Sequence, residues 1–495
     1  MIVRRERSPL VRTMLIFVSV ALVCVAFADL AITTADPWGE FARLARGVVT
    51  PDFYATDNLG AALLYTFAFA ILGVAFGNVI GFGLALLFFS RAVRTFCAVV
   101  RAVHELFWAL IFLQIFGLSP LTGILAIGIP YAGIIAKVYA EILEEADPAP
   151  LRAVPGGTSR LSAFLFVRLP DAWSHFRTYS MYRMECGLRS SAVLGFVGLP
   201  TLGFHLESAF RQGQYSQVSA LLILFYLIIA TMRLWMKRAL LPVYLVGAAL
   251  ALPWGITFYA ENIVRFLTRD IVPYPLRAGG ENMMGALGDW LRVMAFEQAL
   301  PGGIATLQLT MIALVATAVL SMAFFPLISP PLLGRGARMA GNVFLVVVRS
   351  TPEYILAFVL LQLWGPSMLP AIVALSLHNG AIIGHLIGRF SETMKLRADA
   401  IGGINRYAWE VLPRLYRPML ALLFYRWEVI MRETAILGIL GIATLGFYVD
   451  SAFADLRFDR ALFLILITAL LNIGVDAISR AIRARLRLQT SLKNH

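Results

Sequence analysis

Tyr182–Phe204 reads YRMECGLRSSAVLGFVGLPTLGF and Tyr425–Phe447 reads YRWEVIMRETAILGILGIATLGF, and these two stretches indicate the fold because they repeat each other. Twelve of the 23 positions are identical at a constant offset of 243 residues. Compositional bias would produce scattered Leu, Ala and Gly matches, but it would not reproduce Tyr-Arg-x-Glu-x-x-x-Arg. The sequence therefore predicts an internal duplication.

The composition around this repeat excludes a soluble protein. Hydrophobic residues make up 59% of the 495 positions and charged residues only 14%, against about 45–50% and about 25% in soluble domains. The 42 Lys and Arg outnumber the 29 Asp and Glu, which gives a net charge of +13. These basic residues lie between apolar runs instead of forming one solvated face, so they do not indicate nucleic-acid binding. The sequence predicts an all-α polytopic membrane protein.

Twelve apolar segments are long enough to span a bilayer. They lie near 13–34, 60–89, 96–117, 121–143, 187–204, 216–236, 240–260, 303–329, 340–364, 370–388, 429–448 and 461–479. We therefore expect two halves of six helices, 1–238 and 239–495, and an even number per half predicts a parallel repeat. The first segment also resembles a signal peptide. Its counterpart at 240–260 lies in mid-chain, which favours a retained helix.

The distribution of basic residues predicts the orientation of these helices. Lys and Arg concentrate in the N-terminal residues, in alternate loops near 91–94, 144–180, 237–238, 335–338 and 389–417, and in the C-terminal tail. Acidic residues are frequent in the intervening loops near 36–58, 204–215, 261–300 and 449–460. Because short basic loops stay on the cytoplasmic side, we expect a multi-pass protein of the cytoplasmic (inner) membrane with both termini in the cytoplasm.

The basic loop after the fourth helix of each half carries a glycine pair followed by Leu-Pro. The residues concerned are Gly156, Gly157, Arg160, Leu169 and Pro170 in the first loop, and Gly402, Gly403, Arg406, Leu412 and Pro413 in the second. Between glycines and proline, the stretch 160–167 places apolar residues on one helical face. This pattern predicts a short helix that starts after the glycines, stops before the proline and docks on a soluble partner. An ordinary surface helix is the alternative. The second loop is three residues shorter, which predicts a helix shorter by about 4.5 Å and rotated by about 60°.

Ionisable residues inside the third helix of each half, or at the entry of the fifth, are candidates for the translocation pathway, because burying them in a membrane is costly. They are Arg101, Glu105, Arg183, Glu185, Arg189, Arg349, Glu353, Arg426, Glu428 and Arg432. Several Arg and Glu are spaced i, i+4, so structural ion pairs on one helix face are one interpretation. The other is that the guanidinium groups meet an oxyanion in transit. His104 stands where the second half has Pro352, which breaks the symmetry.

The run YRxExxxRxxxxLGxxGxxxxGF after Leu-Pro, with R-x-x-x-E in the third helix, resembles the permeases of phosphonate-type ABC importers. The resemblance covers about 95–236 and 343–480. It implies the MetI-like fold and a small phosphorus oxyanion as cargo: phosphonate, phosphite or phosphate. It also implies that a periplasmic or lipid-anchored solute-binding protein delivers the cargo, and that two copies of a cytoplasmic ATPase dock on coupling loops 144–172 and 391–415. That family usually has one half per chain, so the fusion is a departure.

Several motifs are missing from the sequence. There is no G-x-x-x-x-G-K-[ST] phosphate loop, nucleophile elbow, H-E-x-x-H or paired CxxC, so we expect a transport subunit without catalytic residues. ATP and Mg²⁺ are expected on the separate ATPase, and the histidine spacing predicts no metal site. The alternatives are a secondary transporter of the major facilitator type, an ABC permease for another cargo such as an amino acid, and a membrane enzyme.

Overall fold

The computed structural model describes residues 9–147, 149–255, 259–397 and 402–488. These residues form α-helices, short 3₁₀ and π-helical turns and connecting loops, and no β-strand occurs among them. The helices of the first part of the chain are α1 Pro9–Ala26, α2 Pro37–Val49, α3 Leu59–Leu86, α4 Arg91–Ala102, α5 Glu105–Phe116, α6 Pro120–Glu145, α7 Ala149–Arg152, α8 Arg160–Ala163, α9 Leu169–Val193, α10 Leu202–Arg211 and α11 Tyr215–Trp235. The remaining helices are α12 Leu241–Ala251, α13 Ala260–Arg265, α14 Tyr274–Ala278, α15 Met283–Val293, α16 Leu300–Phe324, α17 Arg335–Ser350, α18 Glu353–Trp364, α19 Met368–Ser391, α20 Gly403–Asn405, α21 Leu412–Ile439, α22 Leu445–Ala454 and α23 Phe458–Arg485.

Among the described residues, seven helical stretches are long and apolar enough to cross a membrane, and ten if three bent pairs each count as one span. The seven are Pro9–Ala26, Leu59–Leu86, Pro120–Glu145, Tyr215–Met232, Met283–Ile328, Met368–Ser391 and Phe458–Arg485. The bent pairs are α4 with α5, Leu161–Val197 with α10, and α17 with α18. The chain is therefore an all-helical, multi-pass membrane protein.

Two of the twelve predicted segments are not among these ten spans. The apolar helix α12, in the predicted segment 240–260, is only 11 residues long, and 256–258 lie outside the described residues. The predicted segment 429–448 falls at the end of the 28-residue helix α21 and continues into α22. Arg426, Glu428, Arg432 and Glu433 make α21 too polar to qualify as a span by composition.

The third predicted helix of each half is broken instead of straight. α4 and α5 meet at 91°, and so do α17 and α18. Pro352 follows the second break and disfavours helical backbone at Thr351, which is extended. At the first break the backbone is extended at Val103 and His104, and His104 Nδ1 accepts a hydrogen bond from the Leu106 amide at 3.1 Å. A histidine side chain thus caps α5 where the second half uses proline.

The described chain divides into two compact units. Unit I comprises residues 43–271, and the described part of unit II comprises 9–42 and 272–488. In unit II, α1 packs against α16, and the Gln308 amide donates to the Cys24 carbonyl at 2.8 Å. In unit I, α12 packs against α3. Unit II therefore contains α1, which the sequence assigns to the first half, and unit I contains α12, which the sequence assigns to the second half.

Glycines at every fourth position form the central helix contact of each unit. In unit I, α3 packs against α6, and a Cβ at Gly73 or Gly77 would lie within 3 Å of Ile127 or Tyr131. In unit II, α16 packs against α19, where Gly380 and its successors at 384 and 388 contact α16 and the turn after it. Small residues allow this close approach, which replaces the hydrophobic driving force that helices lack in lipid.

Candidate functional site

The two loops that the sequence predicts to dock on a partner, 144–172 and 391–415, are called here the first and second docking loops. The first contains a turn followed by helix. Gly157 has φ +96°, a left-handed conformation that favours glycine, and no other group lies within 4 Å of a Cβ built there. Arg160 begins α8, and its side chain lies outside the described part of the chain. The backbone then stays helical through a π-helical turn, Phe164–Arg168, into α9. Arg168 donates to the Leu143 carbonyl at 2.8 Å, which fastens the loop to α6.

The second docking loop repeats this arrangement in unit II. Gly402 precedes α20, Gly403 has φ +66°, and the π-helical turn Arg406–Val411 leads into α21. Residues 398–401 of this loop lie outside the described residues. Arg406 donates to the Pro331 carbonyl at 3.0 Å. The Tyr407 hydroxyl donates to the Met322 carbonyl at 3.2 Å, and burial raises the pKa of this phenol.

Two expectations for these loops were wrong. Pro170 and Pro413 do not follow the end of a short helix, because each lies in the first turn of a long one, where proline is tolerated. The second docking helix is also not shorter than the first. Helical structure begins at Arg160 in the first loop and at Gly403 in the second, and in both loops the proline follows ten residues later. The three extra residues of the first loop lie in the turn before the helix, so they neither shorten nor rotate it.

Both docking loops present large apolar side chains outward. Leu161 and Phe166 are 67% and 78% exposed, and Ile404 and Trp409 are 83% and 81% exposed. Basic side chains near these residues, including Arg414, which pairs with Glu410 at 2.6 Å, make the loops amphipathic. Exposed apolar patches rimmed by polar residues mark surfaces that contact a partner protein or the membrane.

The repeated Leu-Gly-x-x-Gly run forms a sharp turn after the fifth helix of each half. Gly198 and Gly441 have φ +89° and +88°. The following helices start in the same way, because the Leu202 amide donates to Thr66 Oγ1 at 2.9 Å and the Leu445 amide donates to Thr306 Oγ1 at 3.0 Å. The predicted span 187–204 therefore ends at a turn, with a 54° bend before α10.

The sequence-predicted Arg and Glu of the third helix lie at the two breaks. Arg101 ends α4 and Glu105 begins α5, while Arg349 ends α17 and Glu353 begins α18. Spacing i, i+4 therefore does not put these residues on one helix face, because the chain turns by 91° between them. Each glutamate is placed instead at a helix N-terminus, where the macrodipole stabilises its charge.

Glu105 belongs to a first polar cluster with Tyr131, Arg183 and Ser190. Ser190 Oγ donates to Glu105 Oε1 at 2.7 Å, and Ser190 Oγ lies 3.0 Å from the Tyr131 hydroxyl. The Arg183 guanidinium lies 5.1–5.5 Å from the ring centres of Tyr131 and two other tyrosines. Its Nε donates to the Tyr179 hydroxyl at 2.8 Å. The cluster thus concentrates a permanent positive charge and hydroxyl donors inside unit I.

Glu353 belongs to a second polar cluster with His378, Asn379, Arg426 and Glu433. His378 Nε2 lies 3.8 Å from Glu353 Oε2, and Asn379 Nδ2 donates to Glu433 Oε2 at 3.0 Å. Arg426 lies 4.0 Å from Glu433. These residues come from α18, α19 and α21, so the fold of unit II brings together groups that are distant in sequence.

The remaining candidates lie on α9 and α21. Glu185 and Arg189 are one turn apart on α9, and Glu428 and Arg432 are one turn apart on α21, so both pairs share a helix face as predicted. All four side chains are half-buried. Arg189 also lies 3.6 Å from Cys186 Sγ.

Sequence reasoning missed the partners that complete the two clusters: Tyr131, Ser190, His378, Asn379 and Glu433. One signal was available for Glu433, an acid within an apolar run that stands at the repeat position of Ser190. His378 has no nearby ligand residue in the sequence, so only the packing of α19 against α18 reveals that it lies beside Glu353.

Apolar helices, basic loops and, in each unit, a polar cluster with one arginine are features that membrane permeases share. The phosphate-import permease protein PhnE of Mycolicibacterium smegmatis is 25% identical over 514 residues, covering 94% of this chain and 93% of that protein. The phosphite transport system permease protein PtxC of Stutzerimonas stutzeri is 31% identical, over 42% of this chain and 80% of PtxC. A putative cryptic phosphonate transport system permease protein, PhnE2 of Escherichia coli, is 34% identical over 20% of this chain and 83% of its own length.

This chain belongs to the family of phosphate, phosphite and phosphonate transport permeases. No protein-family model matches the sequence. No solved structure matches it significantly.

Proposed function

We propose that the chain is the membrane-spanning subunit of an ATP-driven ABC importer for a small phosphorus oxyanion: phosphate, phosphite or phosphonate. The observation that carries this proposal is the likeness to a phosphate-import permease over 94% of the chain. Shorter relatives that are named for phosphite and phosphonate transport support the same cargo class. Neither the secondary transporter nor the amino-acid permease receives support from any of these relatives.

We further propose that two permease halves, 1–238 and 239–495, are fused as parallel six-helix repeats of the MetI-like type, with twelve membrane helices. PtxC matches 42% of this chain with 80% of its own length, as expected for a protein of about one half. Paired features support the repeat: two 91° breaks, two left-handed glycine turns, and two threonines that bond the start of the next helix.

The proposed partners are two copies of a cytoplasmic ATPase and a periplasmic or lipid-anchored solute-binding protein. ATP and Mg²⁺ bind to the ATPase, and this chain needs no cofactor for that step. The exposed apolar residues of both docking loops support two ATPase contacts, one per loop. The docking loops and the basic termini both belong on the cytoplasmic side, where the ATPase is. The proposed location is therefore the inner membrane, with both termini in the cytoplasm. ATP-driven closure of the ATPase pair then shifts the permease between two states of comparable energy.

Arg183 and Arg426 are the residues that we propose contact the cargo. A guanidinium group stays charged when buried and matches an oxyanion with two parallel hydrogen bonds. The tyrosine rings around Arg183 stabilise its charge while no anion is bound. Glu433 has the corresponding role beside Arg426.

Uptake of radiolabelled phosphate by cells that carry the intact transporter and lack other phosphate importers tests the cargo and Arg183 together. We expect unlabelled phosphite or methylphosphonate to compete, and Arg183→Gln to lower uptake at least tenfold. Arg211→Gln, at an exposed arginine paired with Glu207, serves as the control and should transport normally. Competition by amino acids alone would contradict the cargo, and normal uptake by Arg183→Gln would contradict the role of this arginine.

Native mass spectrometry of the gently purified complex tests the docking loops. The intact assembly should contain one copy of this chain and two ATPases. A charge placed in a buried apolar contact is costly, so Phe166→Asp or Trp409→Asp should each release one ATPase. Tyr54→Asp, at a 98% exposed residue of another loop, should retain both. A permease that purifies alone and transports without ATP would contradict the importer proposal.

A further inference from the structure

The second polar cluster brings two carboxylates and an imidazole close together. Glu353, His378 and Glu433 offer ligand atoms that all lie within 4.8 Å of one another. The side chains of these three residues are 14%, 2% and 11% exposed. Carboxylates held together at this depth require nearby cations, and Arg426, 4.0 Å from Glu433, is one of them.

His378 is oriented as a metal ligand would be. Its Nδ1 lies 2.8 Å from the Thr351 carbonyl oxygen. Because a carbonyl only accepts hydrogen bonds, Nδ1 carries the proton and Nε2 points towards Glu353. A backbone carbonyl that fixes the ring through one nitrogen is the usual support of a histidine that binds a metal through the other.

Asn379 provides an independent observation. It is fully buried, and its Nδ2 donates to Glu433 at 3.0 Å. Its Oδ1, on the same amide, has no hydrogen-bond partner among the described residues. An unsatisfied buried oxygen is destabilising, and a cation bound between Glu433 and His378 would satisfy it.

We propose that Glu353, His378 and Glu433, with Asn379 as a fourth donor, form a site for one divalent transition-metal cation such as Zn²⁺. One imidazole nitrogen with carboxylate and amide oxygens is a donor set that favours zinc-like ions over Mg²⁺. Ligand distances of about 2.0–2.2 Å place such donors about 3.3–4.4 Å apart, close to the spacing observed. Bound metal would link α18, α19 and α21 directly beside the 91° break.

Within the described parts of the chain, the site occurs once. At the corresponding positions, 248 or 243 residues earlier, stand Glu105, Pro130 and Ser190. Only the glutamate of the three ligands is kept there, and it accepts a hydrogen bond from Ser190. A homodimer of identical halves would carry two copies, so the single site is a feature that a fused chain permits. The proposal does not depend on the nature of the cargo.

Metal content of the purified full-length chain tests the site. The tag-free protein is stripped with chelator, incubated with Zn²⁺ in excess Mg²⁺, dialysed and analysed by inductively coupled plasma mass spectrometry. We expect one zinc per chain, and at least about tenfold weaker zinc binding for His378→Gln and Glu433→Ser. His385→Gln is the matched control, because His385 is buried on the same helix outside the cluster, and it should bind zinc normally.

A second measurement keeps the test valid if a variant folds poorly. Zinc should raise the unfolding temperature of the wild-type chain and of His385→Gln, and should leave that of His378→Gln unchanged. Zinc retention that does not differ between His378→Gln and the wild type would overturn the proposal. So would an unfolding temperature that responds to pH but not to zinc, because His378 would then be an imidazolium ion between two carboxylates.

Discussion

At the scale of single residues, glycines define how closely the chain packs after each repeated YRxExxxR segment. A Cβ at Gly446 would overlap the Ala435 carbonyl. Since backbone atoms there cannot move aside, we expect Gly446→Ala to lower the free energy of unfolding by about 1–3 kcal/mol. Thermal unfolding in detergent, followed by intrinsic fluorescence, measures the difference.

Gly474→Ala is the control for this glycine prediction. Gly474 lies in the interior of α23, and no other group comes within 4 Å of a Cβ built there. Alanine has the higher helix propensity, by about 1 kcal/mol, so this variant should be as stable as the wild type or more stable. Equal destabilisation by both substitutions would show that the close approach at Gly446 is not the cause.

At the scale of elements, the break between α4 and α5 depends on the His104 cap. Losing an N-cap side chain costs about 0.5–2 kcal/mol. We therefore expect His104→Leu to lower the free energy of unfolding by about 1 kcal/mol, as measured by thermal unfolding in detergent. His104→Asn, which supplies another cap acceptor for the Leu106 amide, should recover most of the loss. If His104→Asn lost as much free energy of unfolding as His104→Leu, the His104 ring would contribute by packing and not by capping α5.

At the scale of the whole molecule, α1 belongs to unit II although it begins the chain. Gln308 contacts the Cys24 carbonyl, so Gln308→Cys should become crosslinked to Cys24 by a short thiol reagent. A protease site inserted after Gly280 makes the result visible. We expect the cleaved, crosslinked chain to run as one band in denaturing gels.

The same crosslinking without Cys24 is the control. With Cys24→Ser, cleavage should give two separate fragments, and the other two cysteines are replaced by serine throughout. Two fragments in both chains would mean that α1 does not pack against α16.

The positions of most membrane helices could be predicted from hydropathy, because each apolar run reports directly on the helix that contains it. The breaks at His104 and Pro352 were not predicted, since a run such as 96–117 is equally apolar whether it is straight or bent by 91°. The docking loops were predicted from their glycines and Leu-Pro, and their docking role stays a prediction. The prediction of a shorter second helix was wrong, because counting residues between Gly403 and Pro413 does not show where the turn ends and the helix begins.

The amino-acid sequence by itself determined the class of protein. Composition excludes a soluble fold, and the identities shared by Tyr182–Phe204 and Tyr425–Phe447 predict a duplication, because both are properties read along the chain. Only the tertiary structure decided that α1 joins unit II and that Glu353, His378 and Glu433 meet. Glu353 and Glu433 are 80 residues apart, and they meet because α18 and α21 pack around α19. Packing between distant segments depends on the shapes of whole helix faces, which no local pattern contains.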